Sequence, residues 1–564
     1  MSKSNPVIAI GLDAADPNLI EPWMESGDLP NLRAISEQGA YRRLQNQVNY
    51  QGASGVEFSS TEPLWTQFLT GCLPDKTGFW DTVTYEPEDY SVRCDPIYGG
   101  YDYDEYSPFY SLAQNKRVLA FDVPVSRVVP GVDGIQITGW GGHHPFVPSE
   151  SNPPTALENI LAKYGENPVF RKDNGYWWND KYMNWVSNSV QQSVETRVKI
   201  FDDLMAQGPW DLFLTAFGET HTLGHDLLHT SEPKHPLFPF HNKMGTVGNP
   251  MLNGFKQVDA AVGELIAKAP EDAYVAIFAL HGMDVNHTDL LSMMFIGEIM
   301  YRFNFPGKCG LTPGNINESP GPVIHRNIRN GWPGEVWRQM HEPNMFKRVW
   351  NTWAPKRYLD AGTSNGLLSP YTLEQQGEEL AWMPAMAYSP LWPKMKAFAI
   401  PGFADAHIRI NLAGRERDGI VKPEEYDALC AEITDMLFKL RDGRTKKPLV
   451  KDVVRTRTLN PLEANDEKLP ESDLVVVWHD IYTDVVDSPD FGRIGPITYN
   501  RSGGHRDRGF LMLKGPGIDS ESIIQNGRSV DVGATILDLM GVEIPEYFDG
   551  HSLLNRAAVA GAIV

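Results

Sequence analysis

Short apolar runs of about strand length alternate with amphipathic stretches along most of the chain. The runs that predict strands are bounded by Gly, Asp or Pro and occupy residues 7–13, 118–123, 210–217, 273–280, 473–478 and 509–515. Stretches with helical periodicity predict helices at residues 29–40, 190–207, 254–269 and 424–442. Buried strands that alternate with helices are typical of a mainly parallel sheet with helices on both faces. We therefore predict an α/β fold whose reactive side chains gather at the carboxyl ends of the strands.

The alternation breaks between residues 300 and 396. This segment contains "NGWPGEVWRQMHEPNMFKRVWNTWAPKRYLD", which is rich in Trp, Pro, Met and basic residues. Insertions over the carboxyl edge of a sheet usually shape the substrate pocket. We therefore predict a catalytic domain formed by residues 1–299 and 397–564, with residues 300–396 as an inserted helical cap. A rigid surface excursion with no role in the chemistry is the alternative for this segment.

Composition and net charge limit the kinds of molecule that the protein is expected to bind. The chain has 41% hydrophobic and 22% charged residues, the balance of an ordinary soluble globular protein. Its formal net charge of −22 disfavours nucleic acid and anionic membranes, because phosphate groups are bound by clustered Lys and Arg. The sequence enters a predicted strand without a leader-like segment and contains no apolar run of about 18 residues. We expect a cytoplasmic protein that binds a small-molecule substrate, and the oligomeric state stays open.

Candidate metal ligands follow several of the predicted strands. Neutral imidazoles and carboxylates on a rigid edge suit a divalent metal ion. One histidine at a strand end is usually a hydrogen-bonded residue, but the joint pattern favours a metal site. Three further histidines, His229, His235 and His241, are predicted to lie on a solvated loop, and a metal-binding tract is the alternative. The candidate ligands are Asp13 after the first strand, His221 and His225 in "FGETHTLGH", His281 in "LHGM" and His505 in "RSGGHRDRG".

A candidate nucleophile lies in the segment 59–81, "SSTEPLWTQFLTGCLPDKTGFWD", which predicts a loop entering a helix. Thr61 is at the predicted N-cap, with Glu62 and Pro63 in the first turn. A hydroxyl at this position lies among free backbone N–H groups, which stabilise an anion or oxyanion. Thr61 is therefore a candidate nucleophile, and a simple capping role is the alternative.

Several long motifs occur in the order that one family uses. "GLDAADPNLIEPWMESGDLPNLRAISEQGAYRRL" resembles that family's opening strand and helix, and "TEPLWTQFLTGCLPDKTGFWD" resembles its nucleophile segment. "GGHRDRGFLMLKGPGI" and "DVGATILDLMGVEIPEYFDGHSLL" follow in the same register. On these motifs nearly the whole chain resembles the type I phosphodiesterase and nucleotide pyrophosphatase branch of the alkaline phosphatase superfamily. The resemblance implies a three-layer alkaline-phosphatase-like sandwich, two zinc ions at the sheet edge and a threonine or serine nucleophile.

The resemblance places Asp13, Thr61 and His281 around one metal ion. The family pattern has an aspartate immediately before the histidine, where this sequence has Leu280. Because leucine cannot coordinate a metal, we expect the ion that should activate Thr61 to bind weakly or not at all. A histidine that the family pattern has after the nucleophile is replaced here by Thr77.

The same resemblance places His225 and His505 around the other metal ion. An aspartate is expected four residues before His225, and this sequence has His221 there. Three histidines with an open coordination position form a viable site for zinc or another divalent ion. Three neutral ligands leave the charge of the ion largely uncompensated, which lowers the pKa of bound water toward roughly 7 in favourable zinc cases.

Five carboxylates lie near enough in sequence to replace the ligand missing at Leu280. One of them, Glu62, adds negative charge beside the nucleophile, and two like charges about 4 Å apart cost roughly 4 kcal/mol at an effective dielectric constant of about 20. We therefore expect Glu62 to disfavour a phosphate unless it points outward or binds metal. The five residues are Glu57, Glu62, Glu219, Asp226 and Asp284.

Three functions are compatible with this pattern. The first is a metal-dependent hydrolase of a phosphoester, sulfate ester or related bond, with Thr61 and Asp13 as catalytic residues. The second is a mononuclear three-histidine metalloenzyme with redox or metal-hydroxide chemistry, in which Asp13, Thr61 and His281 orient substrate or relay protons. The third is a binding protein without catalysis. The expected cofactor is one or two divalent ions, with zinc preferred over iron, copper, cobalt or manganese.

Overall fold

The computed structural model describes residues 5–94, 100–142, 148–170, 172, 175–241, 248–317, 331–354, 363–458, 460–462 and 468–555. The strands are β1 (Val7–Leu12), β2 (Ala40–Gln45), β3 (Gln47–Tyr50), β4 (Ala53–Glu57), β5 (Thr84–Glu86), β6 (Ser91–Arg93), β7 (Val118–Phe121), β8 (Gly134–Thr138), β9 (Glu150–Asn152), β10 (Leu212–Phe217), β11 (Tyr274–Ala279), β12 (Gly282–Val285), β13 (Ala397–Ile400), β14 (Ala406–Ile410), β15 (Arg441–Asp442), β16 (Val450–Arg455), β17 (Leu474–Trp478), β18 (Val486–Ser488), β19 (Gly492–Ile494), β20 (Gly503–Arg506) and β21 (Arg508–Lys514). The α-helices are α1 (Pro17–Glu25), α2 (Pro30–Gln38), α3 (Thr61–Thr70), α4 (Pro74–Thr77), α5 (Thr155–Tyr164), α6 (Asp180–Met205), α7 (Glu219–Ser231), α8 (Phe238–His241), α9 (Pro250–Ala267), α10 (Ile296–Asn304), α11 (Gly331–Gln339), α12 (Met345–Trp353), α13 (Pro370–Gln375), α14 (Tyr426–Leu437) and α15 (Ser529–Leu539).

Eight strands form the central sheet, in the spatial order β2-β21-β11-β1-β10-β7-β8-β9. The five neighbours β11, β1, β10, β7 and β8 run parallel, whereas β21 pairs antiparallel with β11 and with β2, and β9 is an antiparallel edge strand. The predicted α/β fold with a mainly parallel sheet is therefore confirmed. One strand at each side, β21 and β9, runs opposite to the other six, since β2 is antiparallel to β21 and therefore has the direction of β11.

Helices cover both faces of this sheet, because side chains alternate between the two faces along each strand. Val7 and Ala9 of β1 lie in the apolar cluster formed with α3 and α15. Ile8 and Ile10 lie in the opposite cluster, which includes residues of α1, α2, α6, α7 and α9. The strand β1 is buried along its whole length, so it reads as a continuous apolar run in the sequence. The result is a helix–sheet–helix sandwich of three layers.

A second, antiparallel sheet has the strand order β13-β14-β17-β16. The predicted strand at 473–478 is present as β17, but it belongs to this sheet and not to the central one. An apolar run of this length indicates a buried strand and carries no information on which sheet it joins. Its assignment to the mainly parallel sheet was therefore wrong.

The helix predicted at 190–207 is longer than its apolar pattern suggested. It begins at Asp180, because the Asn179 side chain accepts hydrogen bonds from the backbone N–H groups of Lys181 and Tyr182. The described residues between 300 and 396 are mainly helical and include α11, α12, α13 and a 3₁₀ segment at Pro384–Lys394. The cap boundaries at 300 and 396 stay a prediction. Within the described part of the chain, no helix combines the length and apolar character needed to span a bilayer.

A buried ion network joins α6 to the beginning of α7. The Arg197 side chain is 0% exposed and pairs with Asp122 at 2.8 Å and with Glu219 at 3.1 Å. Asp122 also accepts hydrogen bonds from the backbone N–H groups of Trp140, Gly141 and Gly142, each at 2.9 Å. One guanidinium therefore compensates two buried carboxylates, and one of these is the first residue of α7.

We expect Arg197→Met to lower the free energy of unfolding by about 3–5 kcal/mol, because it leaves Asp122 and Glu219 buried without a cation. Urea denaturation measures this change. The matched control is Arg33→Met, which removes an exposed pair with Glu37 and should cost less than about 1 kcal/mol. Equal losses in the two variants would contradict a structural role for the buried network.

Candidate metal centre

Three histidines from two distant segments converge beyond the carboxyl end of β10. His221 and His225 lie four residues apart on α7 and so face the same side of the helix. The Nε2 atoms of both lie 3.0 Å from Nε2 of His505 on β20. Nitrogen atoms of the three rings all lie within 4.8 Å of one another. The structure therefore brings together the three residues that the sequence singled out as one ligand set.

Glycines let the two segments approach each other. A Cβ atom on Gly503 would lie 2.2 Å from the carbonyl oxygen of Gly224, which is too close for any other residue without movement of the backbone. The backbone N–H of Ser502 donates to the carbonyl oxygen of His225 at 2.9 Å. Gly224 directly precedes His225, and Gly503 lies two residues before His505. The position of these glycines was a signal that sequence analysis left unused.

A backbone hydrogen bond fixes which nitrogen of His225 is available. Its Nδ1 lies 2.8 Å from the carbonyl oxygen of Gly503, and a carbonyl can only accept, so Nδ1 carries the proton. The lone pair of Nε2 consequently points toward His505. Zinc–nitrogen bonds of about 2.0–2.1 Å in a tetrahedron separate the nitrogens by roughly 3.3 Å, close to the spacing seen here. The donor set therefore fits a divalent ion.

A fourth histidine supports β20 from behind. His235 is buried, accepts a hydrogen bond from the backbone N–H of Leu237 at Nδ1, and donates from Nε2 to the carbonyl oxygen of Ser502 at 2.9 Å. Burial lowers its pKa to about 4, so the ring is neutral near pH 7. His229 is also buried. The predicted solvated loop is therefore wrong for these two residues, and the His241 side chain lies outside the described residues.

Asp13 and His281 form a second polar pair beside the three-histidine group. Oδ1 of Asp13 accepts a hydrogen bond from the Trp65 indole N–H at 2.9 Å and lies 3.3 Å from Nε2 of His281. Among the described residues, Oδ2 of Asp13 is buried and has no hydrogen-bond partner. The ring centroids of His281 and His505 are 5.0 Å apart. A buried carboxylate oxygen without a partner is costly unless a cation or a proton donor satisfies it.

The ligand missing at Leu280 is not replaced by most of the nearby acids. The Leu280 side chain is buried in the apolar cluster between the sheet and α3. Four of the five candidate carboxylates form ion pairs or hydrogen bonds with side chains from other segments of the chain. These pairs are Glu57 with Lys451 at 2.7 Å, Glu219 with Arg197 at 3.1 Å, Asp226 with Tyr182 at 2.9 Å, and Asp284 with Arg508 at 2.7 Å.

The fifth carboxyl, Glu62, stays near the site and is partly buried. Burial, together with the carboxylates of Asp81 and Asp13, raises the pKa of Glu62 to about 8, and Arg501 acts in the opposite direction. The group is therefore mainly protonated near pH 7. The expected repulsion between Glu62 and a phosphate does not apply to this neutral form.

Thr61 was predicted to be the N-cap of this helix, but the N-cap is Ser60 and Thr61 is the first residue of α3. Its Oγ1 lies 3.3 Å from both ring nitrogens of His505. The family pattern has a histidine at the position of Thr77. Oγ1 of Thr77 accepts a hydrogen bond from the backbone N–H of Phe79, so this side chain stabilises the local turn. The hydroxyl of Thr61 thus lies beside the histidine group at the amino end of a ten-residue helix.

Residues 7–304 match the family model of type I phosphodiesterases and nucleotide pyrophosphatases. The matched range is more than half of the 564 residues. The chain belongs to this family. Membership supports a phosphoester hydrolase, and the alkaline-phosphatase-like fold implied by the sequence resemblance is confirmed. A search of curated proteins found no match.

Several solved structures are remotely similar to this family member. Phosphonoacetate hydrolase from Sinorhizobium meliloti 1021, in complex with phosphonoformate, is 13% identical over 95% of this chain and 96% of its own, with a TM-score of 0.47. An inactive variant of murine ectonucleotide pyrophosphatase/phosphodiesterase 5 in complex with AMP is 13% identical over 98% and 100%, with a TM-score of 0.44. The human counterpart is 12% identical over the same shares, with a TM-score of 0.43. These likenesses are remote.

Sequence analysis missed one charged residue of this family member's site. The Nη1 of Arg501 donates a hydrogen bond to Nε2 of His225 at 3.1 Å, and its Nε donates to Asp289 at 2.6 Å. Arg501 stands four residues before His505, in the same motif, so proximity along the chain was the available signal. An arginine that donates to a histidine lone pair occupies the direction from which a metal would approach.

We expect His505→Ala to weaken zinc binding by roughly 100-fold or more, because loss of a ligand should exceed the 10- to 100-fold effect of losing an outer hydrogen-bond partner. Zinc per chain after equilibrium dialysis, determined by elemental analysis, measures this effect. His551→Ala is the matched control, since His551 is exposed and pairs with Asp531. Wild-type zinc affinity in the His505 variant would rule this histidine out as a ligand.

Proposed function

We propose that this protein is a metal-dependent hydrolase that cleaves a phosphoester, sulfate ester or related bond with Thr61 as the nucleophile. The observation that carries the proposal is the 3.3 Å separation between Thr61 Oγ1 and His505, whose Nε2 lies 3.0 Å from the other two histidines. Family membership favours the phosphoester. The nucleophile would thus work within reach of the group that can hold an ion.

We assign His221, His225 and His505 to one divalent ion, which would polarise the ester and favour deprotonation of a nearby hydroxyl. The positive end of the α3 dipole, at Thr61, would stabilise the charge that develops on the ester oxygens. Asp13 and His281 offer two further ligand atoms, but Leu280 adds none. We therefore favour a single ion over the family's expected two.

Zinc is the preferred ion, because three imidazoles with an open position match its usual catalytic coordination. Iron, copper, cobalt and manganese remain candidates. The substrate is proposed to be a small molecule, without nucleic-acid or membrane binding, in a cytoplasmic protein whose pocket is shaped by the cap at residues 300–396.

A mononuclear redox or metal-hydroxide enzyme is the second candidate. The pairing of four nearby carboxylates with other side chains favours it, because the ion would then have three neutral nitrogen ligands. Such a nitrogen-rich set suits copper and iron as well as zinc. Asp13, Thr61 and His281 would then orient substrate or relay protons.

We expect Thr61→Ala to lower kcat for a chromogenic phosphodiester or sulfate ester by on the order of 10³-fold or more, with zinc content retained, because the variant lacks the attacking oxygen. Steady-state kinetics and elemental analysis measure the two quantities. Thr70→Ala is the matched control, since Thr70 lies on the same helix and donates only to the Thr66 carbonyl oxygen. Full retention of turnover by the Thr61 variant would exclude it as the nucleophile.

We expect His221→Asp to shift metal preference away from copper, because a carboxylate favours harder ions than an imidazole does. Competitive loading with equimolar zinc and copper, followed by elemental analysis, gives the bound ratio for variant and wild type. A rise in ester hydrolysis with zinc would support the hydrolase, whereas loss of a redox activity would support the second candidate. An unchanged metal ratio and unchanged activity would remove His221 from the ligand set.

A further inference from the structure

Arg501 connects the three-histidine group to a buried anchor. The Asp289 side chain is 4% exposed and accepts the Arg501 Nε–H at 2.6 Å. Asp289 is itself fixed, because the Asn286 amide donates to it at 2.8 Å and its backbone N–H donates to Asn286 at 3.1 Å. One edge of the guanidinium is thus held in place while Nη1 points at His225.

The lone pair that Arg501 uses is the one that a metal ion would need. Nδ1 of His225 donates to the Gly503 carbonyl oxygen, so Nε2 is the acceptor for the Arg501 Nη1–H at 3.1 Å. A nitrogen lone pair cannot serve both a metal and this donor. A metal ion bound to His225 would therefore release Nη1, while the Nε contact with Asp289 would keep the guanidinium beside the centre.

Two contacts link this donor to the nucleophile helix, because Nε2 of His225 lies 3.0 Å from Nε2 of His505, and the His505 ring lies 3.3 Å from Oγ1 of Thr61. The charge of Arg501 acts on Glu62, which directly follows Thr61 on α3. The other arginines of the same motif are committed elsewhere. Arg506 donates to the carbonyl oxygens of His505 and Val285, and Arg508 pairs with Asp16 and Asp284.

We propose that Arg501 binds the non-bridging oxygens of a tetrahedral oxyanion, the phosphoryl or sulfuryl group of the substrate, once a metal ion occupies the histidine site. The inference rests on the proposed function and extends it to a positioning and specificity residue. A planar guanidinium presents two parallel N–H donors to such an anion, which a lysine ammonium cannot do. In a chain with a net charge of −22, the metal ion would supply the local positive charge for an anionic substrate, and Arg501 would supply directed N–H donors.

The test uses inorganic phosphate as the probe and isothermal titration calorimetry as the measurement. Zinc-loaded Arg501→Gln should bind phosphate roughly 10- to 100-fold more weakly than zinc-loaded wild type, as loss of a charge-assisted hydrogen bond predicts. Arg501→Lys should recover only part of the affinity. Arg493→Gln is the matched control, because Arg493 forms an Arg–Asp pair with Asp487 in the separate sheet of β15, β18 and β19.

Zinc binding to the same proteins gives the second measurement. Arg501→Gln should bind zinc as tightly as wild type or more tightly, because it no longer competes for the lone pair of His225. Metal-free wild type should bind phosphate more weakly than the zinc-loaded form. Equal phosphate affinity in Arg501→Gln and wild type, zinc loss in that variant, or metal-independent phosphate binding would each overturn the proposal. Absence of ester hydrolysis by zinc-loaded wild type would instead count against the proposed function. The phosphate affinities of wild type and Arg501→Gln could still be compared, because they are measured without turnover.

Discussion

The convergence of three imidazole rings is the constraint on which the site depends. It requires a helix turn that aligns His221 with His225, a backbone carbonyl that sets the tautomer of His225, and glycines that let β20 approach α7. Nε2 of His505 lies 3.0 Å from Nε2 of each of the other two rings, which is unfavourable without a proton or a cation between the nitrogens. The central sheet and the buried Arg197 network hold the three histidines in place. The unfavourable free energy of bringing their nitrogens together is therefore offset by packing elsewhere in the fold.

Sequence patterns predicted the elements that are recognisable from their own residues. They failed where contacts with distant parts of the chain determine the structure. Strands such as β1 and β10 are continuous apolar runs because both sheet faces are covered. The sheet to which β17 belongs depends on partners that the run itself does not specify. The early start of α6 depends on the Asn179 cap and on polar residues that an apolar pattern overlooks.

The candidate ligands were predictable because each follows a strand or a glycine in the sequence. The fate of the nearby acids was not, since residues far along the chain decide it. Asp226 contacts Tyr182, and Glu57 contacts Lys451 almost four hundred residues away. His235 likewise looked like a loop residue, yet it is buried because its ring supports the Ser502 carbonyl oxygen. Sequence spacing gives the set of donors, and only tertiary contacts determine which remain free for chemistry.

In the proposed site, charge balance would link a metal ion and a bound oxyanion more closely than in a carboxylate-rich site. Three neutral imidazoles leave a divalent ion with its full charge, and the mainly neutral Glu62 offsets little of it near pH 7. Asp289 compensates Arg501, so the guanidinium adds direction and hydrogen bonds more than net charge. The remaining positive charge is best neutralised by the bound oxyanion. Binding of metal and anion must then reinforce each other by the same free energy in both directions, because linkage is reciprocal.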